Sequence, residues 1–411
     1  MTPRPQPSLK PGTAGTPLAG VTVIDLGQIY QGPYAGLLLA KAGADVIKIE
    51  PPAGEPARLR SPRGKSTSLP MAMLNSNKRD ITLNLKSGRG RELFMALAKR
   101  ADVVLENFAP GVLDRLGVGF SALREINPRI IYASGSGYGL SGPDRDSLAM
   151  DVTVQAASGM MSITGFPDGP PMKAGPTVVD FASGTHLYAG IVTALYERER
   201  TGIGRLVEVS MQECVYPMLA TNLGAYYNSG GREVPPRTGN LHGGLALVPH
   251  NVYPAQDGHV ALQCVIENHW TQLLHAMGRE DLKDDPRFTS NARRVENQGA
   301  TDAIVAAWTM QHGKLEIFEI TRRHRIPCAA VRDISEVMND RHMHERGALE
   351  WIDHPELGAI VVPTTPLRLH GAPKVPTVPS AGLGEHNAEI YGGWLGLSMA
   401  EIAELKRGGV I

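Results

Sequence analysis

The chain has 411 residues, more than a single hydrophobic core usually organises, so two domains are expected. Its 42% hydrophobic and 20% charged composition is ordinary for a globular protein, and 41 basic against 41 acidic residues leave no net charge to draw it to nucleic acid or an anionic membrane. Three widely spaced cysteines, Cys214, Cys264 and Cys328, exclude a disulfide framework or a zinc cluster and fit a reducing, cytoplasmic compartment.

The proline-rich opening, residues 1–17, is expected to be a loose tail, and no apolar run reads as membrane-spanning. Residues 21–26 (VTVIDL) read as a buried strand, 33–41 as a helix and 45–50 (DVIKIE) as a second strand, which makes a βαβ unit. The intervening glycines, at 27, 32 and 36, miss the G-x-G-x-x-G spacing and Pro33 opens the helix, so the turn argues against nicotinamide or flavin binding.

The alternation continues with a strand at 81–85, a basic helix at 88–100, a strand at 103–106 and a strand at 130–133 that runs into the glycine-rich GSGYG. Lys78, Arg79, Lys86, Arg89, Arg91 and Arg115 concentrate positive charge in this part of a neutral chain. Such a cluster either solvates a helix face or supplies donors for ligand phosphates.

Residues 177–179 form a short β-branched run ending at Asp180, and Leu187, Ile191, Ala194 and Leu195 then recur at helical spacing up to Gly202. Asp180 is therefore expected where a strand turns into a helix, held ionised by unpaired N–H groups and the helix dipole. Taken alone it reads either as a helix cap or as an oriented carboxylate able to attack a carbonyl.

Beyond it, 205–210 reads as a strand and 211–227 as a helix. The Gly- and Pro-rich stretch 229–248 reads as a crossover into a second domain, residues 229–334, with a hairpin about Asp257-Gly258 and helices near 270–277 and 301–310. The first domain is expected to span 18–228 and to regain the tail, 335–411, with strands at 360–362 and 367–369 and a helix at 399–407.

Taken in order, LAGVTVIDLGQIYQGP, GADVIKIEPP, NSNKRDITLNL, ENFAPGVLDRLG, NPRIIYASGSGYG, ERTGIGRLVEVSM, DDPRF and RIPCAAV resemble the class III CoA-transferase family, which includes formyl-CoA transferase, carnitine CoA-transferase and the alpha-methylacyl-CoA racemases. The resemblance covers about residues 18–369. It implies an α/β fold, with a Rossmann-like large domain, an inserted smaller α+β domain and two chains interlocked as a homodimer. It also implies a coenzyme A thioester as substrate and no permanently bound cofactor or metal.

By that resemblance Asp180 matches the nucleophile that becomes acylated, and Asp151 falls where transferases carry an acidic residue near the active centre. Lys78, Asn107, Phe108 and Arg115 match CoA-contacting segments. Tyr30 and Gln31 stand where formyl-CoA transferase frames the thioester with a glutamine and small residues, a departure that points away from formate or oxalate. The stretch 239–249 matches a glycine-rich loop that covers the active site, although it is only partly glycine here.

The implied chemistry is CoA transfer through an aspartyl mixed anhydride and an aspartyl-CoA thioester, with small dicarboxylic acids such as succinate or mesaconate as the expected substrates. Arg237, Asn240, His242 and His250 are candidates to pair the second carboxylate. Racemisation is the alternative, but it needs a His before the position of Asp151, and Met150 stands there. His186 reads as a structural helix residue. A non-catalytic CoA-binding protein, the third reading, does not need a carboxylate at 180.

Overall fold

The computed structural model describes residues 15–61 and 64–411, so the expected tail lies outside the described residues except at its end. There Thr16 is buried, with its hydroxyl packed over Gly43. The described residues group into two compact units. One gathers those up to Val154, Pro176–Val215 and Asp340–Ile411; the other gathers Gln155–Gly175 and Tyr216–Asn339. The units thus divide at 215 and 339 where 228 and 334 are expected, and the second unit also takes in Gln155–Gly175.

The first unit is built on six strands, β1 (Thr22–Asp25), β2 (Asp45–Glu50), β3 (Arg79–Thr82), β4 (Val103–Glu106), β5 (Ile131–Ser136) and β6 (Leu206–Ser210), in the order β3-β2-β1-β4-β5-β6. Every pairing is parallel, with Val23 opposite Val46 on one side and Val103 on the other. This is the order of a doubly wound α/β sheet, mixed α/β as expected.

Its central strands are apolar on both faces because helices cover both. Ile24, Ile47, Ile81 and Val104 pack with helix Gly88–Ala98 and with Ile390, Tyr391 and Ile402 of the returning tail. The alternate residues Val23, Val46, Val103 and Ile131 pack on the other face with helices Gln31–Lys41 and Val178–Thr201. The tail is tied to β3 as well: the Tyr391 hydroxyl donates to the Thr82 carbonyl at 2.7 Å, and the Asn84 N–H donates to Val410 at 2.8 Å.

Several sequence expectations are corrected. No strand forms at 177–179; the helix opens at Val178, because Asp151 satisfies its first N–H groups. Helix Val178–Thr201 is also long and apolar enough, by length and composition, to cross a bilayer, which the sequence reading had denied of every run. Its apolar residues Leu187, Ile191 and Leu195 are buried in the core, and it ends on Gly202 at φ 74°. The helix expected at 211–227 is broken into Met211–Val215, a tight turn Tyr216–Leu219 and Ala220–Asn228, since Pro217 lacks the N–H a continuous helix requires. Residues 367–369 are coil, and the strand at Gly358–Pro363 pairs with Leu349–His354, which the sequence reading missed.

The second unit holds a three-stranded antiparallel sheet, β7 (His250–Ala255), β8 (Gly258–Gln263) and β9 (Cys328–Ala330). One face packs Tyr253, Val260 and Leu262 against helices Glu267–Met277, Gln298–Thr309 and Lys314–Arg323 through Trp270, Val305 and Ile317. Arg294 is buried here under Trp270, donating to the carbonyls of Val248 at 2.9 Å and Phe288 at 3.0 Å and pairing with Glu267 at 2.9 Å.

Candidate active site

In a doubly wound sheet the strand order reverses between β1 and β4, and ligands bind beyond the carboxyl ends of the strands at that point. The chain leaving β1 and the chain leaving β4 meet there. Asn107 accepts from the Gln28 N–H at 2.7 Å and donates to the Gln28 carbonyl at 3.0 Å, so its amide clasps the loop after β1. Beside it, buried Glu106 accepts from the Phe108 N–H at 2.7 Å, and its carboxyl is pushed up to about 7, chiefly by burial. Phe108 itself is half-buried against the core.

The loop held by Asn107 carries a strained residue. Ile29 has φ 64°, a left-handed conformation that a β-branched side chain rarely adopts. It sets Tyr30 at the start of helix Gln31–Lys41, where the Tyr30 ring lies 6.1 Å from that of Phe181 at 21°, and Tyr34 meets Phe181 edge-on at 4.9 Å. Gln31 is 2% exposed, and its Nε2 has no hydrogen-bond partner among the described residues.

Asp180 lies on the other side of this contact, in the first turn of helix Val178–Thr201. One turn on, Gly184 shares its face. A Cβ at Gly184 would sit 2.7 Å from the Gln31 carbonyl oxygen, so glycine there lets the two helix starts close together. The helix N–H groups of Val179 and Asp180 donate to Asp151 Oδ2 at 2.8 and 3.1 Å. Asp151, not Asp180, is therefore the capping carboxylate.

The expectation that Asp180 is held ionised is corrected by the same geometry. Its carboxyl is raised to about 7, first by burial and then by the neighbouring charge of Asp151. The helix N–H groups that would have stabilised its charge are taken by Asp151, and among the described residues the Asp180 carboxylate accepts no hydrogen bond. Asp151 is placed by the glycine-rich loop after β5. A Cβ at Gly137 would lie 2.0 Å from that of Ala149, and the Gly137 carbonyl accepts from the Gln212 N–H at 3.0 Å.

The cationic residues fare differently. Lys78 is buried, and its ammonium donates to Asp25 at 2.7 Å, the Pro33 carbonyl at 2.8 Å and Asn75 at 2.9 Å. All three of its hydrogens are used, which corrects its assignment to a CoA phosphate. Arg79 is likewise buried between Asp45 and Glu389. Arg89 pairs with Glu92 on its own helix, and Arg91 donates to the Lys86 carbonyl. Arg115 is exposed at the end of helix Val112–Arg115, with no protein partner among the described residues.

In the second unit, Arg237 donates to the carbonyls of Phe166, Pro167 and Gly169 at 3.2, 3.2 and 2.6 Å, so it staples a turn and is not free to pair a substrate carboxylate. His242 Nδ1 accepts from the N–H groups of Gly244 at 3.2 Å and Ala246 at 3.3 Å, which orders the stretch expected to act as a cover. Asn240 and His250 border a cavity of about 520 Å³. Met150 is exposed, and His186 Nδ1 donates to the Ala182 carbonyl at 2.9 Å, a bond within its own helix.

Among the described residues no group of His, Cys, Asp and Glu is arranged to hold a metal ion. Sequence reasoning missed Ile29, Gly184 and Glu106. The Asp180 to Gly184 spacing was the one available signal, since i and i+4 share a helix face.

The model of CoA-transferase family III matches residues 18–387, and the chain belongs to that family. It is a class III CoA-transferase, an enzyme whose substrates are CoA thioesters. The chain is 38% identical to the formyl-CoA:oxalate CoA-transferase of Streptomyces avermitilis, over 96% of this chain and 99% of the relative. It is 34% identical to the succinyl-CoA–D-citramalate CoA-transferase of Chloroflexus aurantiacus, over 96% and 98%. A CAIB/BAIF family protein from Brucella suis superposes with a TM-score of 0.82 at 32% identity, covering 92% of this chain and 100% of that one.

Proposed function

We propose that the chain moves CoA between a short acyl-CoA and a small dicarboxylic acid through covalent intermediates on Asp180, with succinate or mesaconate the kind of acid exchanged. The observation that carries this reading is the state of Asp180: half-buried, its carboxylate without a hydrogen-bond partner among the described residues, and more basic than an ordinary aspartate. A carboxylate of raised pKa is the better nucleophile once ionised, and neutral pH ionises about half of this one. The acids handled by the two relatives support the class, since oxalate and D-citramalate both carry two carboxylates.

In the proposed sequence an Asp180 oxygen attacks the donor thioester carbonyl and expels CoA thiolate, leaving an aspartyl mixed anhydride. The thiolate attacks the aspartyl carbonyl, releases the donor acid and leaves an aspartyl-CoA thioester. The acceptor carboxylate attacks that thioester carbonyl and expels thiolate again. Thiolate then attacks the acceptor's acyl carbon, and the Asp180 carboxylate is regenerated. Each tetrahedral intermediate places negative charge on an oxygen that backbone N–H donors must meet, and an anhydride survives only where water is kept out.

Arg115 is the cation proposed for a CoA phosphate, with Phe108 and the Tyr30–Gln31 turn lining the path to Asp180. A small domain inserted into a Rossmann-like one, an interlocked homodimer and a cytoplasmic site of action belong to the same reading. Exchange assays with succinyl-CoA or mesaconyl-CoA against butyryl-CoA test it. The dicarboxyl donors are expected to win in kcat/KM by roughly 30-fold to 150-fold, the worth of one matched charged hydrogen bond. Equal use of butyryl-CoA would remove the dicarboxylate assignment and leave the transferase standing.

A further inference from the structure

A cavity of about 310 Å³ lies in the first unit between the end of helix Gln31–Lys41 and the chain from Thr364 to Val375. Its walls carry Lys41, Arg368, His370 and Lys374 and no carboxylate. Lys41 is only 8% exposed, and among the described residues its ammonium donates to the Thr377 hydroxyl alone, at 2.6 Å. Two of its three hydrogens are therefore without an acceptor among the described residues. Burial lowers its pKa to about 8, Glu350 opposing and Lys374 adding to that shift. Arg368 is exposed and has no partner among the described residues, whereas Lys374 is paired with Glu350.

Across the cavity stand a buried ammonium with two open hydrogens, its charge only partly offset by Glu350 behind Thr377, and an exposed guanidinium with a planar fork, above an apolar floor that includes Leu38 and Tyr188. A buried ammonium with open donors is costly unless an anion completes it. We propose that this cavity binds a small oxyanion, of carboxylate or phosphate type, with Lys41 and Arg368 as its principal ligands. Tyr188 lies on the helix that carries Asp180, two turns further on, so the site is separate from the residues assigned to catalysis.

Titration calorimetry and thermal shift of the full chain without CoA, using inorganic phosphate in one arm and succinate in the other, read the site. One anion per chain whose binding depends on Arg368 is expected, beside any succinate held at the Asp180 site, and the arm with the tighter Arg368-dependent binding names the head group. Arg368→Gln, a surface change that leaves the fold alone, is expected to weaken binding about tenfold, as the loss of a charge-assisted bond does. Lys41→Met is expected to weaken it further, and Arg115→Ala to leave it unchanged. Neither anion binding, or binding unaltered in Arg368→Gln, or an equal loss in Arg115→Ala, would overturn the proposal.

Discussion

Asp151 Oδ2 accepts both the Val179 and the Asp180 N–H, so one carboxylate caps the helix whose first turn presents another. The cap fixes Asp180 in place, and its charge helps to raise the Asp180 carboxyl to about 7. Position and part of the added basicity thus share a source, burial supplying the larger part.

The first prediction concerns pH. The nucleophile is the ionised form, so kcat/KM is expected to rise as pH climbs from 5 and to level off above about 7. In Asp151→Asn the amide oxygen can still cap, but the like charge is gone. The midpoint is then expected to move to lower pH while remaining above 3.8, because burial, the larger cause, persists. A pH-rate profile for both proteins checks this; identical midpoints would remove Asp151 from the account.

The same shift makes a statement about stability. A carboxyl whose folded pKa is raised favours folding while it is protonated, below the unfolded value near 3.8, and that contribution is lost as pH rises through 7. At pH 8 Asp180→Asn is therefore expected to be more stable than the parent, by on the order of 1–3 kcal/mol, while its CoA exchange is abolished. Urea denaturation at pH 8 and pH 4 measures it, and the gain should shrink at the lower pH.

Lys78 yields a different kind of prediction. Lys78→Met would leave the buried Asp25 carboxylate without its cation and is expected to destabilise by about 3–5 kcal/mol, without raising KM for the thioester in protein that remains folded. Arg115→Ala should do the reverse, raising KM at little cost in stability. Steady-state kinetics beside thermal melts separate the two.

Gly184→Ala tests the approach of the two helix starts. The added Cβ would meet the Gln31 carbonyl at 2.7 Å, and backbone on both sides must give way. About 1–3 kcal/mol of stability should be lost, and kcat should fall more than KM changes, because the displaced atoms lie beside Asp180.

How much of this was legible in the sequence follows from the range of each interaction. The parallel strands declared themselves because runs such as DVIKIE and VVLE are dense in Val, Ile and Leu, and β2 and β4 fall where that pattern put them. Asp180 was visible as the acid that opens a long helix. What failed were inferences that depend on distant partners. Nothing near residue 180 says that its helix N–H groups belong to Asp151, 29 positions earlier. Nothing near Lys78 discloses Asp25, so a buried ion pair read as a surface cation. Arg237 looked available because its three carbonyl acceptors lie about 70 residues away in sequence.

The most direct measurement is to quench the protein with hydroxylamine during turnover with an acyl-CoA and to locate the hydroxamate by peptide mass spectrometry. The account predicts a single labelled carboxyl, Asp180, and no label or exchange in Asp180→Asn. A hydroxamate on Asp151 or Glu106, or CoA exchange by Asp180→Asn near the parent rate, would contradict it.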